Sequence, residues 1–371
     1  MSKKAYDLRG IYAQMEIDLT ASMKRNLTRH ENEEKKEGFE WEQWQSRKLE
    51  DLKAYRIEAS RIVNKAIPEI DATVEREVKG AFRRGADKVG GLFKKIWNKV
   101  IPTKQDAIDD SNFFKQNERR INALASAAQQ ELRAANQAIL RQTDDVFRQT
   151  IFKSQVYLNS GAASLDQAID MATKDFLDKG LDCITYRDGR RVNVASYAEM
   201  SLRTSSQRAV FAGEGAKRQQ IGNPFVVVSN HSNCSDLCLP WQGKVYIDDV
   251  YSGGKASDGP YPLLSTAMAA GLYHPNCRHN MTTFIPGISR MPEPVDEATT
   301  RLNYQQEQRQ RYFERQVRKY KRRAAGSLDE ANKARAESKV KQWQNALRSH
   351  MKANPQLRRD YSREKVRIPP T

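Results

Sequence analysis

INALASAAQQELRAANQAILRQTDDVF, residues 121–147, is the stretch that decides the fold class. Ile121, Leu124, Ala128, Leu132, Ala135, Ile139 and Val146 recur at intervals of three, four and seven, with Gln, Asn and Arg between them. That period is helical, and the run predicts one long amphipathic helix. A stripe of this length needs an apolar partner, from this chain or from a second copy of it.

The same periodicity extends toward the N-terminus, so residues 1 to about 180 read as helix after helix. Leu8, Tyr12, Met15, Leu19, Met23 and Leu27 share one face, with Glu16, Lys24 and Arg25 off it. After the charged stretch His30–Gly38, a second helix carries Leu49, Leu52, Tyr55, Ile62 and Ala66, and Pro68 is expected to end or kink it. Gly90-Gly91 predicts a break within Gly85–Pro102, followed by a short basic amphipathic turn, Leu92 to Trp97. Ser164 with Gln167 fits a capping box, and Gly180 is a natural helix stop.

Beyond Gly180 the texture changes. Cys183–Tyr186 and Arg191–Val194 flank Asp188-Gly189, which predicts a tight hairpin. Ser196 with Glu199 suggests a second capping box opening a helix to about Phe211, and Phe225–Val228 reads as a short buried strand. Glycine and proline then stay dense to Gly287. The expected fold is mostly α within an α+β class: long amphipathic N-terminal helices (1–110 and 111–180), a small loop-rich Cys/His α+β domain (181–287) and a basic helical C-terminal tail (288–371).

Charge sharpens the functional reading. The 371 residues carry a formal net charge of +17, and residues 288–371, with 21 Lys+Arg against 10 Asp+Glu, hold +11 of it. A tail so basic points to a polyanion such as nucleic acid. Arg309, Arg311, Arg315, Arg318, Lys319, Lys321, Arg322 and Arg323 are the candidate phosphate contacts, with Tyr312, Phe313 and Tyr320 interleaved. The alternative is a helix face with intrahelical pairs such as Glu314 with Arg318. No run of about 18 uncharged apolar residues occurs and the first residues lack an apolar signal segment, so a soluble protein made in a cytoplasm, without a membrane partner, is expected.

Three of the four cysteines and three of the five histidines fall between His231 and His279. Cys234 and Cys238 form a C-x3-C pair, and His274-Pro-Asn-Cys277-Arg-His279 supplies a second group. Structural zinc takes four Cys/His ligands in two short-spaced pairs, so Cys234, Cys238, His274 and Cys277 are the candidate ligands, with His231 and His279 as alternates. A small domain with little apolar mass gains most from such a staple. The spacing leaves open reduced, partly buried thiols with hydrogen-bonded histidines, and a disulfide or reactive thiol.

The ordered elements Tyr197-Ala-Glu-Met-Ser-Leu-Arg-Thr204, Ser229-Asn-His231, Cys234, Cys238, Pro240-Trp-Gln-Gly-Lys-Val245, Tyr261-Pro262 and Gly271-Leu-Tyr-His-Pro-Asn-Cys-Arg-His279 together resemble the phage minor capsid protein 2 family. The last element is also similar to the HPxCRC ending of phage head-morphogenesis proteins. The resemblance implies a virion component of a tailed bacteriophage, made in the bacterial cytoplasm beside the portal protein and placed inside the head near the portal vertex among other head proteins; the basic tail adds packaged DNA, and the apolar stripe a further copy of the chain, as expected partners. It implies no enzymatic activity and carries no catalytic residues.

Enzyme alternatives are thinner on residues. A zinc deaminase needs H-x-E upstream of P-C-x-x-C, and neither motif occurs; a nuclease-like site has only His279 and Asn280 to offer. Asp236, Asp248 and Asp249 beside glycines read first as turn formers, and Arg203 as a tether rather than a phosphate ligand. Ser252-Gly-Gly-Lys255 lacks the spacing of a phosphate loop.

Overall fold

The computed structural model describes residues 4–29, 41–100, 112–160 and 164–364, and it is mostly helical with few, short strands. His30–Gly38, Pro102 and the last seven residues lie outside the described residues. Its long helices are α1 (Lys4–Thr28), α2 (Trp41–Val100), α3 (Glu118–Asn159), α4 (Leu165–Lys179) and α5 (Val194–Ile221). They are followed by the short α6 (Leu264–Ala269) and the long α7 (Glu297–Gly326) and α8 (Glu330–Ala353). Two compact units divide the chain. The first gathers Met1–Asp71, Glu131–Glu199 and Gln308–Thr371, the second Ala72–Gln130 and Met200–Glu307. Both are therefore assembled from separated stretches of sequence, and the Cys/His stretch from His231 to His279 lies wholly in the second.

In the first unit the predicted stripe of α3 is buried by this chain itself. Leu132, Ala135 and Ile139 are at most 1% exposed, Tyr12 of α1 donates to Asn136 Oδ1 at 2.9 Å, and Tyr55 of α2 stacks on Phe147 at 4.8 Å. No second copy is needed to cover it. Ala125 and Phe147 take the buried positions expected for Leu124 and Val146, which are half-buried.

Two predicted interruptions do not interrupt. α2 runs unbroken through Pro68, because Val63, Ile70 and Val74 on either side are fully packed and outweigh one missing backbone hydrogen bond. It also runs through Gly90-Gly91. Where this helix passes α5 in the second unit, glycines serve contact rather than termination. A Cβ on Gly85 would lie 2.2 Å from the Val210 carbonyl oxygen, and one on Gly213 would lie 2.1 Å from that of Phe82. Gly213→Ala is expected to cost about 1–3 kcal/mol in urea unfolding, since backbone rather than a flexible side chain must give way. An unchanged midpoint would show that the crossing can open.

Helix ends follow side-chain chemistry more closely. Ser164 Oγ accepts the Gln167 N–H at 3.2 Å, and Gly180 (φ 71°) stops α4. The predicted box at Ser196 is displaced. Asn193 Oδ1 accepts from Ala195 N at 3.1 Å, α5 starts at Val194 and runs to Ile221, and Glu199 pairs instead with Arg363 at 2.8 Å. The hairpin forms as β1 (Ile184–Thr185) and β2 (Arg191–Val192), antiparallel with Ile184 opposite Val192, and Gly189 adopts φ 79° in its turn.

The second unit holds an antiparallel sheet ordered β4-β3-β5, from β3 (Phe225–Val228), β4 (Val245–Ile247) and β5 (Met281–Thr283). Val226 faces Tyr246 and Thr283 across the two ladders. Alternation along β3 splits its valines between two faces. Val226 and Val228 enter the core that holds Cys234, Cys238, Cys277, Phe211, Tyr273 and Met281, while Val227 packs with Val245 and Phe284 on the other side. The thiols thus sit on the apolar face of the sheet.

Candidate metal centre

Three donors converge on that face. Cys238 Sγ lies 3.5 Å from Cys277 Sγ, which lies 3.3 Å from His279 Nδ1. The ligand atoms of the three residues are within 4.8 Å of one another, and all three side chains are buried. Cys277 and His279 stand two apart as the chain extends into β5, so period-two alternation turns both to one side. Cys238 arrives from the short helical turn Leu239–Trp241, to which it is the N-cap.

The loop carrying Cys277 is held in an uncommon backbone conformation. Tyr273 (φ 58°) and Asn276 (φ 71°) are the non-glycine residues with positive φ among the described residues, and they bracket His274-Pro275. Each costs of order 1 kcal/mol and persists only where neighbours enforce it. Tyr273 is buried against the Phe211 ring at 4.7 Å. The Asn276 side-chain oxygen accepts from Arg203 Nη1 at 3.2 Å, and its N–H donates to Thr204 Oγ1 at 3.4 Å. Arg203 therefore tethers α5 to this loop.

Hydrogen bonds fix the imidazoles. Gln242 Oε1 accepts from the His231 backbone N–H at 2.9 Å and therefore also accepts from His279 Nε2 at 2.9 Å. With the proton on Nε2, the bare Nδ1 of His279 faces the thiols, which is the outer support a metal-binding histidine needs. His274 is oriented the opposite way. Its Nδ1 donates to the Pro275 carbonyl at 2.8 Å, leaving Nε2 toward Ser235 Oγ at 2.9 Å and the Cys238 sulfur. The Cys277 thiol, with help from His274 and His279, pulls the Cys238 pKa well down, while the same pairing drives that of Cys277 up.

Of the residues expected as ligands, the structure joins Cys238 and Cys277 to the alternate His279, with His274 against Cys238. Cys234 is buried nearby outside the three-donor group, its thiol pushed up to about 11 by burial and then by Cys238. His231 is also outside it, stacked edge-on against His279 at 4.7 Å and bonded to Ser229 Oγ at 3.1 Å. Tetrahedral zinc with Zn–S of about 2.3 Å and Zn–N of about 2.0 Å needs S···S near ~3.8 Å and S···N near ~3.6 Å. The Cys238–Cys277 and Cys277–His279 separations are within a few tenths of an ångström of those values, and the three donors together could hold a metal ion.

The residues considered for enzyme chemistry are occupied otherwise. His279 is held at both ring nitrogens, Nε2 by Gln242 and Nδ1 against the Cys277 sulfur. Asp248 is fully buried on Arg218 at 2.7 Å, Asp249 caps α6 through Ser265 N at 2.9 Å, and Asp236 pairs with Arg301 at 2.9 Å.

The candidate phosphate contacts on α7 are largely engaged inside the first unit. Arg318 donates to the Arg363 carbonyl at 2.7 Å, Lys321 to that of Glu364 at 2.6 Å, and the buried Arg322 to those of Leu177 and Asp178 at 2.9 and 2.7 Å. Lys319 and Arg323 share the Asp178 carboxylate, at 2.9 and 2.7 Å. Arg309 lies over the Tyr312 and Phe313 rings, which pack against Trp343, while Arg311 is half-buried and Arg315 exposed. Glu314 is buried near Arg363 rather than paired on a solvated face. Sequence periodicity alone does not reveal this, because the acceptors are backbone carbonyls and carboxylates remote in sequence.

The chain is 25% identical over 337 residues to a "structural protein" of Lactococcus phage LL-H, covering 87% of this chain and 88% of that protein. It is 35% identical over 101 residues to a "structural protein" of Lactococcus phage mv4, covering 26% of this chain and 82% of that one. A model of the phage minor capsid protein 2 family matches residues 2–352, and the chain belongs to that family. No solved structure matches it. Among the described residues no helix is long and apolar enough to cross a membrane.

Proposed function

We propose that the chain is a minor structural component of a tailed-phage head, assembled in the host cytoplasm beside the portal, with zinc as a staple and packaged DNA as its polyanionic neighbour. The observation that carries this reading is family membership over almost the whole chain. The zinc ligands are Cys238, Cys277 and His279, with the Nε2 of His274 as the fourth donor. Its role is architectural: it joins the loop before β4 to the loop before β5.

Support for protein partners comes from the surface. Leu49, Phe152 and Val156 of the first unit are 53, 65 and 47% exposed, apolar side chains of the kind a neighbouring head protein covers. Support for the genome comes from the +11 held by residues 288–371, which in a head interior face the densest polyanion available. Quantitative mass spectrometry of purified virions and of empty heads tests the placement. The expected result is this chain in both particles at a fixed, low ratio to the portal protein, retained after salt washing. Its absence from both would end the structural reading.

A further inference from the structure

With most α7 cations engaged internally, the question is which cations remain for a polyanion. α8 supplies them. Among the described residues Arg335, Lys339, Lys341, Arg348 and Lys352 are exposed and form no ion pair; Lys339 and Arg348 touch only Gln342 and Asn345 of their own helix. Between Asn332 and Ala353 the sole acidic residue is Glu337. The opposite face of α8 is fixed in the first unit: Leu347 and Ala336 are buried, and Trp343 and His350 pack on Tyr312 and Phe313 of α7.

Helical geometry orders these charges. At about 100° per residue, Lys341, Arg348 and Lys352 fall within roughly 40° of one another and extend over roughly 17 Å. Duplex DNA presents one phosphate charge per about 1.7 Å of axis, so this row matches about half a turn of duplex. Arg335 and Lys339 form the other flank. Ser338, Gln342, Asn345 and Ser349 lie between the flanks, polar donors with no apolar anchor of the sort a membrane-surface helix requires.

We infer that the solvent face of α8, centred on Lys341, Arg348 and Lys352, is the surface that contacts the duplex backbone, independent of base sequence. The inference rests on the reading of the chain as a neighbour of packaged DNA. It moves the contact from α7, where that reading first looks for it, to cations of α8 that form no ion pair among the described residues.

The test is fluorescence anisotropy of the full-length protein with a 30-base-pair duplex across a salt series. Five phosphate contacts give a log–log salt slope of about −4.5, a roughly 500-fold loss of affinity between 50 and 200 mM; the Lys341→Gln/Arg348→Gln/Lys352→Gln variant is expected to show about −1.8 and a ~12-fold loss. Arg61→Gln/Lys65→Gln/Arg187→Gln removes the same charge from other exposed positions of the first unit and is expected to keep the wild-type slope. If the α8 variant binds like wild type, or both triple variants lose equally, the assignment to α8 is wrong. A wild-type chain that ignores duplex at low salt overturns the genome-contact reading itself. Displacement by polyglutamate as readily as by unlabelled duplex assigns the surface to an acidic protein instead.

Discussion

Protein produced with zinc available is expected to carry about one zinc per chain, and the Cys238→Ser/Cys277→Ser variant none. Serine oxygen is a poor zinc ligand at neutral pH, and the variant removes both sulfurs of a three-donor group whose separations already suit the ion. Binding only the folded form at a thousandfold over Kd stabilises by about 4 kcal/mol, and that much shifts the melting of a 150–250-residue body by roughly 10 °C. Stripping wild type with a strong chelator should lower its transition accordingly, and re-adding zinc should restore it. Cys234→Ser should leave metal content unchanged, whereas His279→Ala and His274→Ala should weaken retention. Metal-free wild type with an unaltered melting curve would remove the staple; a mass 2 Da lower and a reductant-sensitive transition would identify a Cys238–Cys277 disulfide in its place.

That cluster of side chains shows how far the sequence can be read. Density of cysteine and histidine between His231 and His279 marks the region, yet spacing pairs Cys234 with Cys238 and His274 with Cys277 because both are near neighbours. The fold brings Cys238 to Cys277 and His279, beyond a loop in which Tyr273 and Asn276 take left-handed φ. A signal was present: C-x-H entering an extended segment puts both donors on one side. Helix α3 and the ends of α4 follow from local pattern and capping chemistry alone. Pro68 and Gly90-Gly91 mislead for a different reason, because local breakers cost a few kcal/mol at most and a helix packed along its length overrides them. Burial of charged side chains is the least legible feature of all, for it depends on partners that no local pattern marks, some more than a hundred residues away.

Glu16 is the clearest such case, and its replacement by alanine is expected to destabilise the first unit by about 3–5 kcal/mol. Pattern places it on the polar side of α1, but it is only 3% exposed. Its Oε1 accepts from the Leu181 N–H at 2.6 Å and from Asn193 Nδ2 at 2.7 Å, and its Oε2 lies 3.5 Å from Arg322 Nη1. One carboxylate therefore satisfies the chain just beyond α4, the cap of α5 and a buried guanidinium of α7. Gly180 is required beside it, as a Cβ there would fall 2.0 Å from Oε1. Alanine leaves an N–H, an amide and a charge without that partner, whereas glutamine keeps an accepting oxygen and loses only the charge, so Glu16→Gln should cost about 1–2 kcal/mol. Urea unfolding of the two variants measures the difference. Arg322 keeps its bonds to the Leu177 and Asp178 carbonyls in either variant, so Arg322→Met in the Glu16→Ala background should recover part of the loss by removing the stranded cation. A Glu16→Ala cost below about 1 kcal/mol, or strict additivity in the double variant, would mean the carboxylate is a passenger rather than the link among α1, α4, α5 and α7.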